Sequence, residues 1–353
     1  MEQRKGLPVR QAVSILVACQ LLEVLTWLPE VAGLSQPGDL LFVVLFSAVV
    51  QALLLLPLYF LLRWRQMNTL PRFAAGMYSA YFLFIALYML FCGYIFLSRV
   101  VMPQTNGLLL IGLLLVSGCY IAAREREALM KTGSFFATGM VIISLAFFVL
   151  SLPDIDITQL HGTISSNETL WEFALKGALR STMAPILLVL LSDKMEIGGK
   201  TIWMSWGLFF VLFFLISVTT VAVLGVVSQL VLFPVFLQVT TLGIDGMIQR
   251  MDIVWIAGWG MALFVALGTC IHCGQYCLRR INLNGGIVFN ALMIVGALTV
   301  YVYAAQEQIQ NALRQGWLIP AVQAFFVVFF PALLLLFRKG GQEKRIPVQK
   351  IKK

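Results

Sequence analysis

The sequence predicts an all-α membrane protein of ten transmembrane helices, and three observations predict it. Hydrophobic residues make up 60% of the 353 and charged residues only 12%, against roughly 45–50% and 25% in soluble domains. The mean hydropathy of +0.91 describes a surface that polar groups cannot cover and that lipid must. Apolar runs of the roughly 20 residues needed to cross a bilayer core of about 30 Å recur along the whole chain, with basic residues gathered between them.

The runs fall near 11–29, 40–62, 76–98, 107–123 and 132–152, then near 177–192, 201–227, 253–277, 286–305 and 317–337. Charge orients them. With the N-terminus inside, the inner segments hold Arg4, Lys5, Arg10, Arg63, Arg65, Arg72, Arg124, Arg126, Lys131, Lys194, Lys200, Arg279, Arg280 and seven basic residues after the last span. The outer side holds Arg99, Lys176, Arg180, Arg250 and Arg314, so the 25 Lys and Arg divide 20 to 5. Both termini are therefore expected in the cytoplasm. The net charge of +9 sets orientation and marks no nucleic-acid partner. The first run follows Arg4, Lys5 and Arg10 without a small-residue cleavage site, so it reads as a helix and not a cleaved signal peptide. Residues 1–340 read as one transmembrane domain and 341–353 as a basic cytoplasmic tail. Ten spans split five plus five, and an odd number per half inverts the second half, as in inverted-repeat transporters.

Taken in order, the first span carries the one carboxylate that falls inside a predicted helix, Glu23, with Thr26 one turn on. A carboxylate at that depth costs about 2.5–3.5 kcal/mol on insertion scales, so Glu23 is expected to face the bundle. It serves there either as a ligand, ion or proton site or as a structural hydrogen-bond partner. In span three, Tyr81 and Tyr88 sit deep enough to line a pocket, whereas Tyr78, like Trp255 of span eight, has the position of an interfacial belt residue. The outer segment 153–176 carries Asp154, Asp156, His161, Glu168 and Glu172, long enough to hold structure of its own. Its Asn167-Glu168-Thr169 triplet fits the glycosylation pattern, one that arises commonly by chance.

Span six reads Leu175-Lys176-Gly177-Ala178-Leu179-Arg180-Ser181-Thr182-Met183-Ala184-Pro185. Pro185 has no amide hydrogen and clashes with the carbonyl of Ser181, which frees backbone polarity within the membrane. Arg180, Ser181 and Thr182 are therefore candidate binding residues. Arg180 reaches one of three partners: Glu23 in an ion pair, one end of a zwitterionic ligand whose other end Glu23 holds, or the interface by snorkelling. Spans one and six open the two halves, the positions where inverted-repeat transporters interrupt a helix around their substrate. Span eight adds Trp259 as a pocket candidate. Its Cys270, His272, Cys273 and Cys277 share a helix, but zinc ligands normally come from two elements and no second cluster exists. No metal site, cofactor or enzymatic constellation is predicted.

Between spans seven and eight, Phe233-Pro234 is followed by a short amphipathic stretch and then by Ile248-Gln249-Arg250-Met251-Asp252 opening the Trp-rich span eight. That order resembles the B-subunit family of spore germinant receptors, the endospore germination permeases. Ser14 and Gln20 in span one, and Ala32-Gly33 followed by Asp39-Leu40, are similar to the family's first helix and first loop. The resemblance covers the whole chain in topology and about residues 228–262 in motif. It implies an amino acid–polyamine–organocation fold similar to LeuT, in the inner membrane of a bacterial spore. It further implies a small ligand, usually an amino acid, bound between spans one, three, six and eight, with an A-type membrane subunit and a C-type lipoprotein as partners. A proton-coupled amino-acid transporter and a non-binding structural subunit are the alternatives. One departure stands out: the family's first helix carries a Gly-containing break, and Leu22-Glu23-Val24-Leu25-Thr26-Trp27 holds no glycine and argues against unwinding. Glu23 is then neutral, or faces a cationic or non-amino-acid ligand, or belongs to a structural partner.

Overall fold

The computed structural model describes residues 9–28, 34, 36–64, 70–161, 168–191, 195–242 and 251–336. The 341–353 tail, Ala32-Gly33, Asn167 and Gln249-Arg250 lie outside them. Every regular element among the described residues is helical.

The first half runs α1 (Val9–Trp27), α2 (Asp39–Leu54), α3 (Leu56–Trp64), α4 (Arg72–Phe96), α5 (Gly107–Ala122) and α6 (Arg126–Ser151). Helices α2 and α3 form one apolar stretch bent at Leu55, just before Pro57, whose missing amide breaks the ladder. Helix α4 ends in a π-helical turn, Leu97–Val101, before Pro103. The second half runs α7 (Glu168–Arg180), α8 (Ile186–Leu190), α9 (Met195–Leu224), α10 (Val227–Leu230), α11 (Pro234–Thr241), α12 (Met251–Arg280), α13 (Gly285–Tyr303), α14 (Glu307–Gln315), α15 (Leu318–Ala324) and α16 (Phe330–Leu336). A π-helical turn, Phe325–Phe329, joins the last two.

Eight of the described stretches are long and apolar enough to cross a membrane. The other two predicted spans depart from that form. Residues 107–122 make a shorter apolar helix. The sixth span is not one helix at all: α7 starts in the predicted outer loop, at Glu168, and stops at Arg180 ahead of Pro185. The chain is an integral, multi-pass membrane protein.

Helices α1 and α12 form the centre. Helix α1 is apolar on all sides, so it must be wrapped by protein or lipid; it packs against α6, α9 and α12, and 78% of it is buried. Helix α12 packs against α4 most of all, then α5, α6, α1 and α13. Gly118 and Gly268 let α5 and α12 approach closely, since a side chain on either would run into Leu267 or Ile121. Helix α13 is only 22% buried, and its exposed Ile287, Ile294, Val295 and Leu298 belong against lipid.

Candidate functional site

Glu23 sits four residues from the end of α1, on an unbroken helix, as the missing glycine predicts. The helix stops one turn later, where Leu28 takes the left-handed φ of 40° while its amide still bonds the Val24 carbonyl at 3.1 Å. The Glu23 side chain is 4% exposed, and its carboxylate accepts a hydrogen bond from the Tyr88 hydroxyl of α4. Arg180, 3% exposed, brings its Nε to 3.4 Å from Glu23 Oε1. In the structure Arg180 therefore makes the ion pair with Glu23, and its burial excludes snorkelling to the interface.

Arg180 does more than pair. Its Nη2 donates to the carbonyls of Leu313 (2.9 Å) and Gly316 (3.3 Å), and its Nη1 to the carbonyl of Arg314. These belong to the C-terminal turn of α14, where carbonyls lack helical partners and carry the negative end of the dipole. One guanidinium thus ties α7, α1 and α14 together.

Beyond Arg180 the chain leaves the helix over Ser181–Pro185, and side chains satisfy the freed backbone. Ser181 Oγ donates to the Gly177 carbonyl and Thr182 Oγ1 to that of Ala178, both at 2.8 Å. Both hydroxyls accept in turn from Gln51 Nε2 of α2, at 3.1 and 2.7 Å. Ser47, one turn earlier on α2, donates to the Ala174 carbonyl at 2.7 Å. A polar seam on α2 therefore secures the break, and the buried Gln51 Oε1 has no hydrogen-bond partner among the described residues.

The remaining predicted residues fall into two neighbouring groups. Thr26 accepts from Trp259 Nε1 at 2.8 Å and donates to the Leu22 carbonyl, joining α1 to α12. Tyr81 donates to Gln323 Oε1 of α15 at 2.8 Å, and Gln323 Nε2 lies 3.7 Å from the Met183 sulfur in the break. So Glu23 contacts both Tyr88 and Arg180, while Thr26–Trp259, Tyr81 and Ser181–Thr182 each bond elsewhere. Tyr78 and Trp255 are not belt residues: Tyr78 is 0% exposed among Phe326 and Phe330, and Trp255 is 4% exposed against Phe96 and Phe236. The π-helical turn and α16, which cover Tyr78, and α11, which covers Trp255, were not foreseeable as cover. Cys270, Cys273 and Cys277 are buried free thiols, and His272 turns away to the Ala122 carbonyl, 3.0 Å from its Nδ1.

Three residues of this region escape the sequence reading: Gln51, Gln323 and Arg314. The two glutamines carry a signal, a long amide inside an apolar run, of the same kind that marks Glu23. Arg314 reads only as an outer-side charge. A cavity of about 350 Å³ lies between α4, α13 and α14. Its walls include the Tyr88 ring, whose hydroxyl holds Glu23, and Leu313, whose carbonyl holds Arg180.

No protein-family model matches the chain, and the search of curated proteins finds no match. The fold is similar to the solved structure of a Na+-coupled sialic acid symporter in its substrate-bound, outward-open state. The TM-score is 0.60 over 91% of this chain and 77% of that one, at 12% sequence identity. The likeness is one of fold: the helices of this chain are arranged similarly to those of that symporter.

Proposed function

We propose that the chain is a permease-fold ligand-binding subunit of the germinant-receptor kind, taking a small zwitterion, an amino acid, between Glu23 and Arg180. The observation that supports it is the buried ion pair linking the first helix to the broken one. Withdrawing two charges from water costs several kcal/mol per ion, and apolar residues of similar volume commonly serve stability as well or better. A pair kept in such a place favours a role beyond packing. A zwitterion replaces it without adding charge, its ammonium meeting Glu23 and its carboxylate Arg180, so the acid at position 23 orients the ligand and does not repel it.

Arg180 also holds the end of α14, so a ligand that draws it away releases α14. Binding then shifts a two-state equilibrium by its differential affinity for the two arrangements, and the A-type subunit and C-type lipoprotein of a spore inner membrane read the result. Ten spans in a five-plus-five inverted repeat, with both termini cytoplasmic, belong to the same proposal. A second reading, a coupled transporter of the same ligand, is favoured by the likeness to a Na+-coupled symporter and by an acid deep in a span.

The test is binding and uptake of a radiolabelled amino-acid panel by the full chain in liposomes, wild type beside Glu23→Gln, with and without Na+ and proton gradients. Saturable binding without accumulation, weakened in the variant, is the expected result. Accumulation driven by a gradient makes the transporter reading correct. No binding of any amino acid removes both and leaves a structural subunit.

A further inference from the structure

Arg314 lies next to this site and is 8% exposed. Being in the last turn of α14, it would ordinarily serve the helix dipole, but Arg180 already occupies the carbonyls there. The Arg314 side chain instead reaches the Val231 carbonyl, 3.3 Å from its Nη2, just before Phe233-Pro234. Its Nε is buried without a hydrogen-bond partner, and no carboxylate among the described residues pairs with it. Arg180 donates to the backbone carbonyl of Arg314 itself, so two cationic residues meet at the same helix end. Arg180 has Glu23 and three carbonyls to balance it; among the described residues Arg314 has one carbonyl. A buried charge so poorly balanced calls for a counter-charge.

We infer that Arg314 anchors a second carboxylate of the ligand, so that the site selects acidic amino acids. The match is one of opposites: one carboxylate and two guanidinium groups on the protein, one ammonium and two carboxylates on the ligand. Arg suits the task because its planar fork pairs two carboxylate oxygens at once. The inference rests on the reading of Glu23 and Arg180 as a ligand site and names the class of ligand.

Calorimetric titration of the full chain in lipid nanodiscs tests it, with L-glutamate, L-aspartate, L-alanine and L-leucine as probes and sodium chloride at matched ionic strength as the inorganic-anion control. The wild type is expected to prefer the two acidic amino acids over L-alanine by about tenfold or more, a charged hydrogen bond's contribution. Arg314→Gln brings that ratio close to one, and Arg314→Lys retains part of it. Glu23→Gln weakens acidic and neutral ligands alike. A wild-type ratio near one overturns the inference without any variant, as does a preference that survives Arg314→Gln or an acidic-ligand signal that chloride alone reproduces. If L-alanine binds and L-glutamate binds no better, only this inference falls. If none of the four binds, the ligand site falls with it.

Discussion

Helix α1 and the α7–α8 segment meet at Glu23 and Arg180 but arrive by opposite means. Helix α1 stays intact through its buried charge, with no glycine or proline before its end, and its carboxylate meets the Tyr88 hydroxyl of α4 and the Arg180 guanidinium of α7. The α7–α8 segment gives up five residues of helix at Ser181–Pro185, and its exposed backbone is served by hydroxyls and by Gln51. In a fold whose two halves are expected to mirror each other, only one of the two opening helices is broken. Polarity enters the bundle through a side chain in one half and through the backbone in the other. A ligand seated between them meets one rigid wall and one held by weak, exchangeable hydrogen bonds.

The comparison breaks most visibly if the shared ion pair is cut from one side. Arg180→Met leaves Glu23 buried without its cation and is expected to cost about 3–5 kcal/mol, while Glu23→Leu combined with Arg180→Met recovers much of the loss. Denaturant titration in detergent of the two single variants and the double one reads both numbers; additive losses would show that the two residues do not interact. Tyr88→Phe removes one hydrogen bond to a charged group and is expected to cost about 1.5–3 kcal/mol, read as a lower thermal midpoint with the fold otherwise kept.

A smaller effect sharpens the comparison. Pro185→Ala is expected to cost only about 0.4–1 kcal/mol through unfolded-chain entropy, because Gln51 still holds Ser181 and Thr182. If the variant gains stability, proline alone was opposing a continuous helix and the α2 seam was not. The smallest effect lies outside the membrane. The Thr158 hydroxyl and amide bond Asp156 and hold its carboxylate below its usual range. A lowered folded value means that the ionised acid stabilises this turn above the ordinary pKa of about 3.9, and that the contribution fades as pH falls through the folded value. Exchange protection of the Thr158 amide, corrected for intrinsic rate, should therefore drop below about pH 4.

Much of this was legible in the chain. Composition and charge alternation gave the membrane class, the cost of a carboxylate in lipid picked out Glu23, and Pro185 located the break. The symmetry argument for interruption in both opening helices held for one only, and the local run Leu22–Trp27 had already spoken against the other. What was hidden depends on residues far apart in sequence. Gln51 bonds Ser181 and Thr182 across a separation that no local pattern encodes. Tyr78 and Trp255 look like interface residues until α16 with its preceding π-helical turn, and α11, cover them. Arg314 looks like a topology charge until Arg180 takes the carbonyls it would have used.

The ion pair also has a history within each molecule. Glu23 leaves the ribosome first, and Arg180 follows roughly 160 residues later, an interval of about 10–30 s at ordinary elongation rates of 5–20 residues per second. Tyr88 arrives in between. Until then the nascent first helix must carry its acid through the insertion machinery in neutral form or sheltered by another protein. The Glu23–Arg180 contact is therefore a late step of biogenesis, and a chain stalled before α7 is a natural substrate for membrane quality control.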